Sequence, residues 1–216
     1  IWAAFAATLI VGTGSSIAGG AGAYFYTYVL GDMKLMSGVS IIGLIASLVG
    51  IVMGPYLANR FGKKKVYLTA VIISTALNLL RLLDVTSMIL IYISALIGGV
   101  AGGWMVPVNT SIQADNTTYV QYKTGKRAEA AIASLTSFVS KVAQGLGGAI
   151  PGYVIAAYGF VTGASVQPES INTGIILCAL ILPLIFGILG LLIFGTQYTL
   201  DQKAVIEMDA KINRNN

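Results

Sequence analysis

The chain has 216 residues, 56% of them hydrophobic and 10% charged, with 13 Lys and Arg against 8 Asp and Glu for a net charge of +5. Soluble domains carry about a quarter charged residues, so this composition belongs in lipid. With no His and a single Cys, Cys178, the chain cannot form an internal disulfide, and it lacks the ligands for zinc and the base for a Ser–His or Cys–His pair. No enzyme, resident metal or cofactor is expected, and Cys178 reads as a small packing residue. The basic residues fall in short segments between apolar runs, which is the pattern of membrane topology and not of nucleic-acid binding.

Residues 1–198 read as an all-α membrane protein, a bundle of six transmembrane helices. The spans are expected near 1–30, 36–58, 66–83, 88–112, 128–158 and 173–198, each reaching the roughly 20 residues that cross about 30 Å of hydrocarbon. The chain starts at Ile1 inside an apolar stretch, without Met, a basic start or a small-residue cleavage site, so residues are expected upstream. Arg60, Lys63, Lys64 and Lys65 cluster after the second span, and Lys123, Lys126 and Arg127 after the fourth. The positive-inside rule puts these segments, and both ends of the chain, in the cytoplasm of a multi-pass cell-membrane protein (inner or plasma membrane). The tail, 199–216, is read in two ways. It is an amphipathic helix with Leu200, Ala204, Met208 and Ile212 on one face and Asp201, Lys203, Glu207, Asp209 and Lys211 elsewhere, or a solvated end.

Glycine accounts for 26 residues, much of it at helix-packing spacing. Gly98/Gly102, Gly99/Gly103, Gly148/Gly152 and the series Gly12, Ser16, Gly20 are expected to let helix backbones approach closely. The glycines of 12–22 also fit a deformable helix. Gly145-Leu146-Gly147-Gly148 is not a phosphate loop, because no Lys-Ser/Thr or βαβ context follows it.

Lys141 is the anomaly of the fifth span. It lies 14 residues beyond Arg127, roughly 21 Å along a helix, where a charge costs on the order of 3 kcal/mol. Ser134, Ser137, Gln144, Gly145 and Gly148 share its helical face. That stripe suits a wet cavity on an ion or substrate pathway; the alternative is a lysine that snorkels to an interface. Each acid of the chain sits near a span end or outside the membrane, so a counter-charge is expected from a second bundle, an ion network or substrate. Tyr24 and Tyr28 share a face at the far end of the first span, placed either to bind a polar solute or to join an aromatic belt. Trp104 is a candidate for stacking on a sugar ring or for plain packing against lipid and helices.

The segment from Ala114 to Glu129 resembles a signature of the glycoside–pentoside–hexuronide:cation symporters, the melibiose permease-like family of the major facilitator superfamily. The family pattern runs roughly Ala-Asp-x-x-Asp-Tyr-x-Glu-Tyr/Trp-Lys-x-x-x-Arg-x-Glu. Asp115, Tyr119, Tyr122, Lys123, Arg127 and Glu129 match it as a cytoplasmic-loop motif, whereas Thr118 and Gln121 replace two acids. Tyr24-Phe25-Tyr26-Thr27-Tyr28-Val29-Leu30-Gly31-Asp32 looks like the end of the family's seventh span. Asn59-Arg60-Phe61-Gly62-Lys63-Lys64-Lys65 looks like the loop between its eighth and ninth, and Lys141 falls where the eleventh carries a lysine.

The resemblance implies that the chain is the C-terminal six-helix bundle of a major facilitator fold, with the N-terminal six-helix half as its missing partner. It implies symport of a sugar or glycoside with a monovalent cation (Na⁺, Li⁺ or H⁺), whose main ligands lie in that missing half. It places Thr136, Ser137 and Ser140 on the sugar pocket, beside Lys141 and Gln144. The family's sugar-stacking Trp position is Val106 here, two residues from Trp104. The alternatives are a non-transporting module or sensor on a transporter scaffold, and a transporter of a non-sugar organic anion held by Lys141.

Overall fold

A computed structural model gives the fold and describes residues 1–164, 166–200 and 202–214. Among these every regular element is helical. α1 (Trp2–Tyr24) runs without a break into a π turn (Phe25–Val29). α2 (Lys34–Phe61), α3 (Lys63–Leu83), α4 (Met88–Thr124) and α5 (Glu129–Ala157) follow. α6 is one rod, Ser170–Gln197, wound as a π turn over Leu177–Ile181. α7 (Gln202–Arg214) closes the chain.

Five of these helices are long and apolar enough to cross a membrane: α1 with its π turn, α2, α3, α4 and α6. α5, expected as a sixth span, has 29 residues and hence ample length. Its Ser134, Ser137, Ser140, Lys141 and Gln144 dilute its apolar character, and it falls outside that set.

One helix outruns its expected span. The fourth span, expected to end at 112, continues as helix to Thr124. Residues 113–124 contain no Gly or Pro, so nothing stops the helix until Gly125. There the backbone turns left-handed (φ +69°), and the Gly125 N–H donates to the Gln121 carbonyl at 2.8 Å. The motif assigned to a loop is therefore mostly helical. Asp115, Tyr119 and Lys123 ride on α4, Arg127 lies in the connection, and Glu129 opens α5. Gly62 (φ +87°) similarly reverses the chain between α2 and α3 in a single residue.

The bundle is assembled from two tightly crossed pairs. α4 lies along α2 and against α3, α1 lies along α5 and α6, and α3 meets α6 to join the groups. In the α2–α4 crossing, Gly99 faces Gly43, Gly103 faces the Ser47 backbone, Gly50 faces the Val100 carbonyl, and Gly54 faces Trp104 and Pro107. In the α1–α5 crossing, Gly12 faces Ala143, Gly147 faces Ser16, and Gly20 faces Pro151. The expected series Gly12, Ser16, Gly20 and the pair Gly99/Gly103 thus sit at crossings. Gly148/Gly152 does not: both look into open space, and Gly147, one position round the helix, makes the contact. Gly102 of the remaining pair is also open.

Two apolar clusters lie at the two ends of the bundle. At the end that carries the basic segments, Ala3, Ala7, Val66, Tyr67, Val108, Ile112, Phe194 and Tyr198 pack together. The Phe194 ring stands 4.1 Å from that of Tyr67 and 4.5 Å from that of Tyr198. At the opposite end, Ile17, Phe25, Ile91, Ile155, Ile171 and Leu180 form the second cluster, with Cys178 buried in it as expected of a packing residue.

The tail is helical in its described part and rests on α4, with Met208 against the basic-end cluster. Lys211 stands 5.7 Å over the Tyr122 ring, while Glu207 and Asp209 are exposed. Leu200, expected on the tail's apolar face, is instead buried in the bundle ahead of the helix. Asp201 and the side chain of Lys203 lie outside the described residues.

Candidate functional site

Burial on α5 follows a four-residue repeat, Ala143, Gly147, Pro151 and Ile155, which is the face pressed on α1. At 100° per residue, Lys141 lies 200° from Ala143, on the opposite side of the helix. Ser134, Ser137, Lys141, Gln144, Gly145 and Gly148 are all exposed there, and among the described residues Lys141 makes no ion pair. The α1 contact therefore forces a polar, small-residue stripe outward. Thr136 and Ser140 sit at the edge of that stripe, half-buried, and the Thr136 hydroxyl donates to the Ile132 carbonyl of its own helix at 2.8 Å.

The other sequence candidates lie elsewhere. Tyr28 is exposed on the π turn, where its ring neighbours Tyr24 at 6.4 Å and Phe160 at 5.8 Å. α1 and α5 run parallel through their glycine contacts, so Tyr28 stands level with the far end of α5, well beyond Lys141. Trp104 packs against the basic-end cluster and lines a cleft of about 320 Å³ with Leu57, Phe61, Lys65, Val66 and Thr69. Its indole N–H is buried without a partner. Trp104 thus sits in the α2–α4 crossing, against Gly50 and Gly54, while Lys141 is on α5.

The motif residues divide into a buried pair and an exposed one. The Lys63 ammonium donates to both Asp115 carboxylate oxygens, at 2.6 and 2.8 Å, with the side chains only 21% and 7% exposed. This joins the start of α3 to α4. The neighbouring Lys64 donates to the Tyr198 carbonyl at 2.7 Å, capping the end of α6. Arg127 and Glu129 pair at 2.6 Å but are 70% and 60% exposed, a pair of little energetic weight. Tyr119 packs on the basic-end cluster, and Lys123 is exposed. Gln113, Thr117, Thr118, Gln121, Arg127 and Asp209 are among the residues around a cavity of about 510 Å³ between α4, α5 and α7.

One charged residue escaped the sequence reading. Arg81, inside the span expected at 66–83, lies in the last turn of α3 and points into the bundle. Its signal was present: Ser74, Asn78 and Arg81 share one helical face.

Long apolar helices, backbone-close glycine crossings and a polar outward stripe are the build of a multi-pass membrane protein. Residues 1–202 match the family model described as MFS/sugar transport protein. The chain is 30% identical over 204 residues to a glucuronide carrier protein homolog of Escherichia coli, covering 90% of this chain and 44% of that one. It is 32% identical over 191 residues to the uncharacterized symporter YjmB of Bacillus subtilis, covering 86% and 41%. An isoprimeverose transporter of Lactiplantibacillus pentosus is 28% identical over 154 residues, covering 69% and 31%. The chain belongs to the MFS/sugar transport family, within the glycoside–pentoside–hexuronide group of the major facilitator superfamily. It spans about two fifths of the length of the curated relatives it matches.

Proposed function

We propose that the chain is the C-terminal six-helix half of a cation-coupled sugar or glycoside symporter working by alternating access. The carrying observation is the α5 stripe: a lysine with no acidic partner among the described residues, on a polar face turned away from its own bundle. An N-terminal half seated on that face would supply the carboxylates that balance Lys141 and ligate Na⁺, Li⁺ or H⁺. Sugar would bind near the midplane between the halves, touching Ser137, Lys141 and Gln144, and rocking of one half on the other would expose it to each side in turn. The basic segments and both ends of the chain would lie in the cytoplasm, where the Lys63–Asp115 and Lys64–Tyr198 links hold the inner end of this half together.

The relatives named for a glucuronide and for isoprimeverose support a sugar or glycoside as cargo. The test is uptake by the full-length protein in vesicles, with sugars competed against organic acids under imposed Na⁺ or pH gradients. Sugar uptake driven by a cation gradient, and its loss in Lys141→Ala with insertion intact, is the expected result. Coupled uptake at the wild-type level in that variant would sink the role given to Lys141.

A further inference from the structure

Between the two apolar clusters, clefts with polar residues in their walls cut into the bundle. A cavity of about 390 Å³ lies among α1, α3, α4 and α6, with Ser15, Ser74, Thr75 and Asn78 in its wall. A second, of about 220 Å³, is lined by α1, α2, α3 and α4 toward the end opposite the basic segments. They share Ser74 and Asn78. Arg81 faces the second cavity together with Tyr26, Asn78 and Ser94.

Three features of Arg81 set it apart from an interfacial arginine. Its Nε is buried and without a hydrogen-bond partner. Its guanidinium stands 5.1 Å over the ring of Phe25, itself 2% exposed in the cluster beneath. The π turn at Phe25–Val29 adjoins it on two sides, with Phe25 under the cation and Tyr26 in the cavity wall. π turns occur often at functional sites because they re-aim side chains that a regular helix would direct elsewhere. An arginine two residues from its helix end would normally snorkel to the lipid headgroups. This one is turned inward.

The acids at this end of the bundle leave it uncompensated. The Asp84 carboxylate accepts from the Thr86 N–H and hydroxyl at 3.1 and 3.0 Å. The Asp32 carboxylate accepts from the Lys34 N–H at 2.8 Å. Glu169 is exposed outside the bundle. Among the described residues no acid pairs with Arg81. A guanidinium that is partly desolvated, aimed into a polar cavity and lacking a carboxylate is complementary to an oxyanion, which its planar fork can grip through two N–H groups. A space of 220 Å³ holds such a group with several waters at about 30 Å³ each.

We propose that Arg81 and the cavity before it form a binding site for the carboxylate or sulfonate group of an anionic small solute, with Asn78, Ser94 and Tyr26 as its hydrogen-bonding wall. The site lies inside one bundle, on different helices from Lys141, so it would select solutes by charge at a place separate from the coupling lysine. The inference rests on the transporter reading only in supposing that solutes enter the bundle.

The experiment is thermal unfolding of the purified full-length protein in neutral detergent at fixed ionic strength. It is titrated with sodium glucuronate, with glucose, and with phosphatidylglycerol against phosphatidylcholine. Glucuronate is expected to stabilise the wild type more than glucose does. Arg81→Gln should weaken its apparent affinity by about tenfold or more, and Arg81→Lys, which keeps the charge but not the fork, by less. The glucose response should be unchanged in both. Arg81→Lys carries the test should Arg81→Gln fold poorly. An undiminished glucuronate response in the variants, or no preference for glucuronate in the wild type, overturns the site. So does an Arg81-dependent response to phosphatidylglycerol alone, which would make a lipid phosphate the ligand. Because the readout is binding, failure of cation-driven uptake would strike the transporter reading and leave this site standing.

Discussion

In the α2–α4 pair, Gly50, Gly54, Gly99 and Gly103 bring two parallel backbones into contact. In the α1–α5 pair, Gly12, Gly20 and Gly147 do the same. The outward faces differ. α2 exposes Ile41, Leu44, Ile45, Leu48, Val52 and Tyr56, an apolar surface suited to lipid. α5 exposes Ser134, Ser137, Lys141 and Gln144, with Phe138, Leu146 and Tyr153 beside them. In a membrane the close approach of backbones, not an apolar driving force, holds helices together. The two pairs show that this device works from a narrow stripe of each helix and leaves the remaining faces free for other tasks.

The widest separation between the two faces should come from charge. Lys141→Ala is expected to lower cation-driven uptake by at least about tenfold, a loss of more than about 1.4 kcal/mol in coupling. Val52→Ala on the α2 face should leave uptake unchanged. Equal effects in the two variants, read by initial rates in vesicles, would erase the distinction. The packing faces, by contrast, should respond alike. A side chain at Gly103 meets the Ser47 backbone, and one at Gly147 meets Ser16 and the Ile17 backbone. Backbone cannot yield cheaply, so Gly103→Leu and Gly147→Leu should each cost about 3 kcal/mol, or prevent folding. Thermal unfolding in detergent checks both.

The buried and exposed ion pairs at the basic end should fall next in order. Asp115→Asn leaves the Lys63 ammonium facing a neutral amide in a site that is only 21% exposed on the lysine side. A cost of about 1–3 kcal/mol is expected, and a cycle with Lys63→Met should recover part of it. Arg127→Ala, on the exposed pair, should stay within about 0.5 kcal/mol. A larger cost for Arg127 than for Asp115 would reverse the assignment of which pair is structural.

Most of the helices were legible because lipid imposes a simple length and polarity rule, and the expected spans lie within a few residues of α1, α2, α3, α5 and α6. The end of α4 was not, because hydropathy marks where a helix leaves the membrane and not where it stops. The polar run from Gln113 to Lys123 is as helical as the apolar run before it. The Lys141 stripe could be read because its members repeat on one helical face. Its outward direction could not, since Gly147 and Gly148 are interchangeable by spacing and only the position of α1 decides between them. Arg81 stood unmarked for a related reason: a lone arginine at a span end reads as an interfacial cation, while its side chain turns to Phe25, 56 positions away in the chain.

The smallest expected effect is the sharpest test of the α5 face. Gly148 has nothing within 4 Å of the place a Cβ would occupy, although its neighbour Gly147 is pressed on Ser16. Alanine at 148 therefore meets no neighbour in this bundle, and it removes the backbone-entropy penalty of a helical glycine, worth up to about 1 kcal/mol. Gly148→Ala should be neutral to slightly stabilising for the bundle, where Gly147→Ala already forces a shift of α1. If the face is where a second bundle approaches, that stability would come with slower uptake, because the added methyl would narrow the space between the halves. A Gly148→Ala protein that unfolds as early as Gly147→Ala would place position 148 inside the α1 contact, and the polar stripe would lose its claim to face outward.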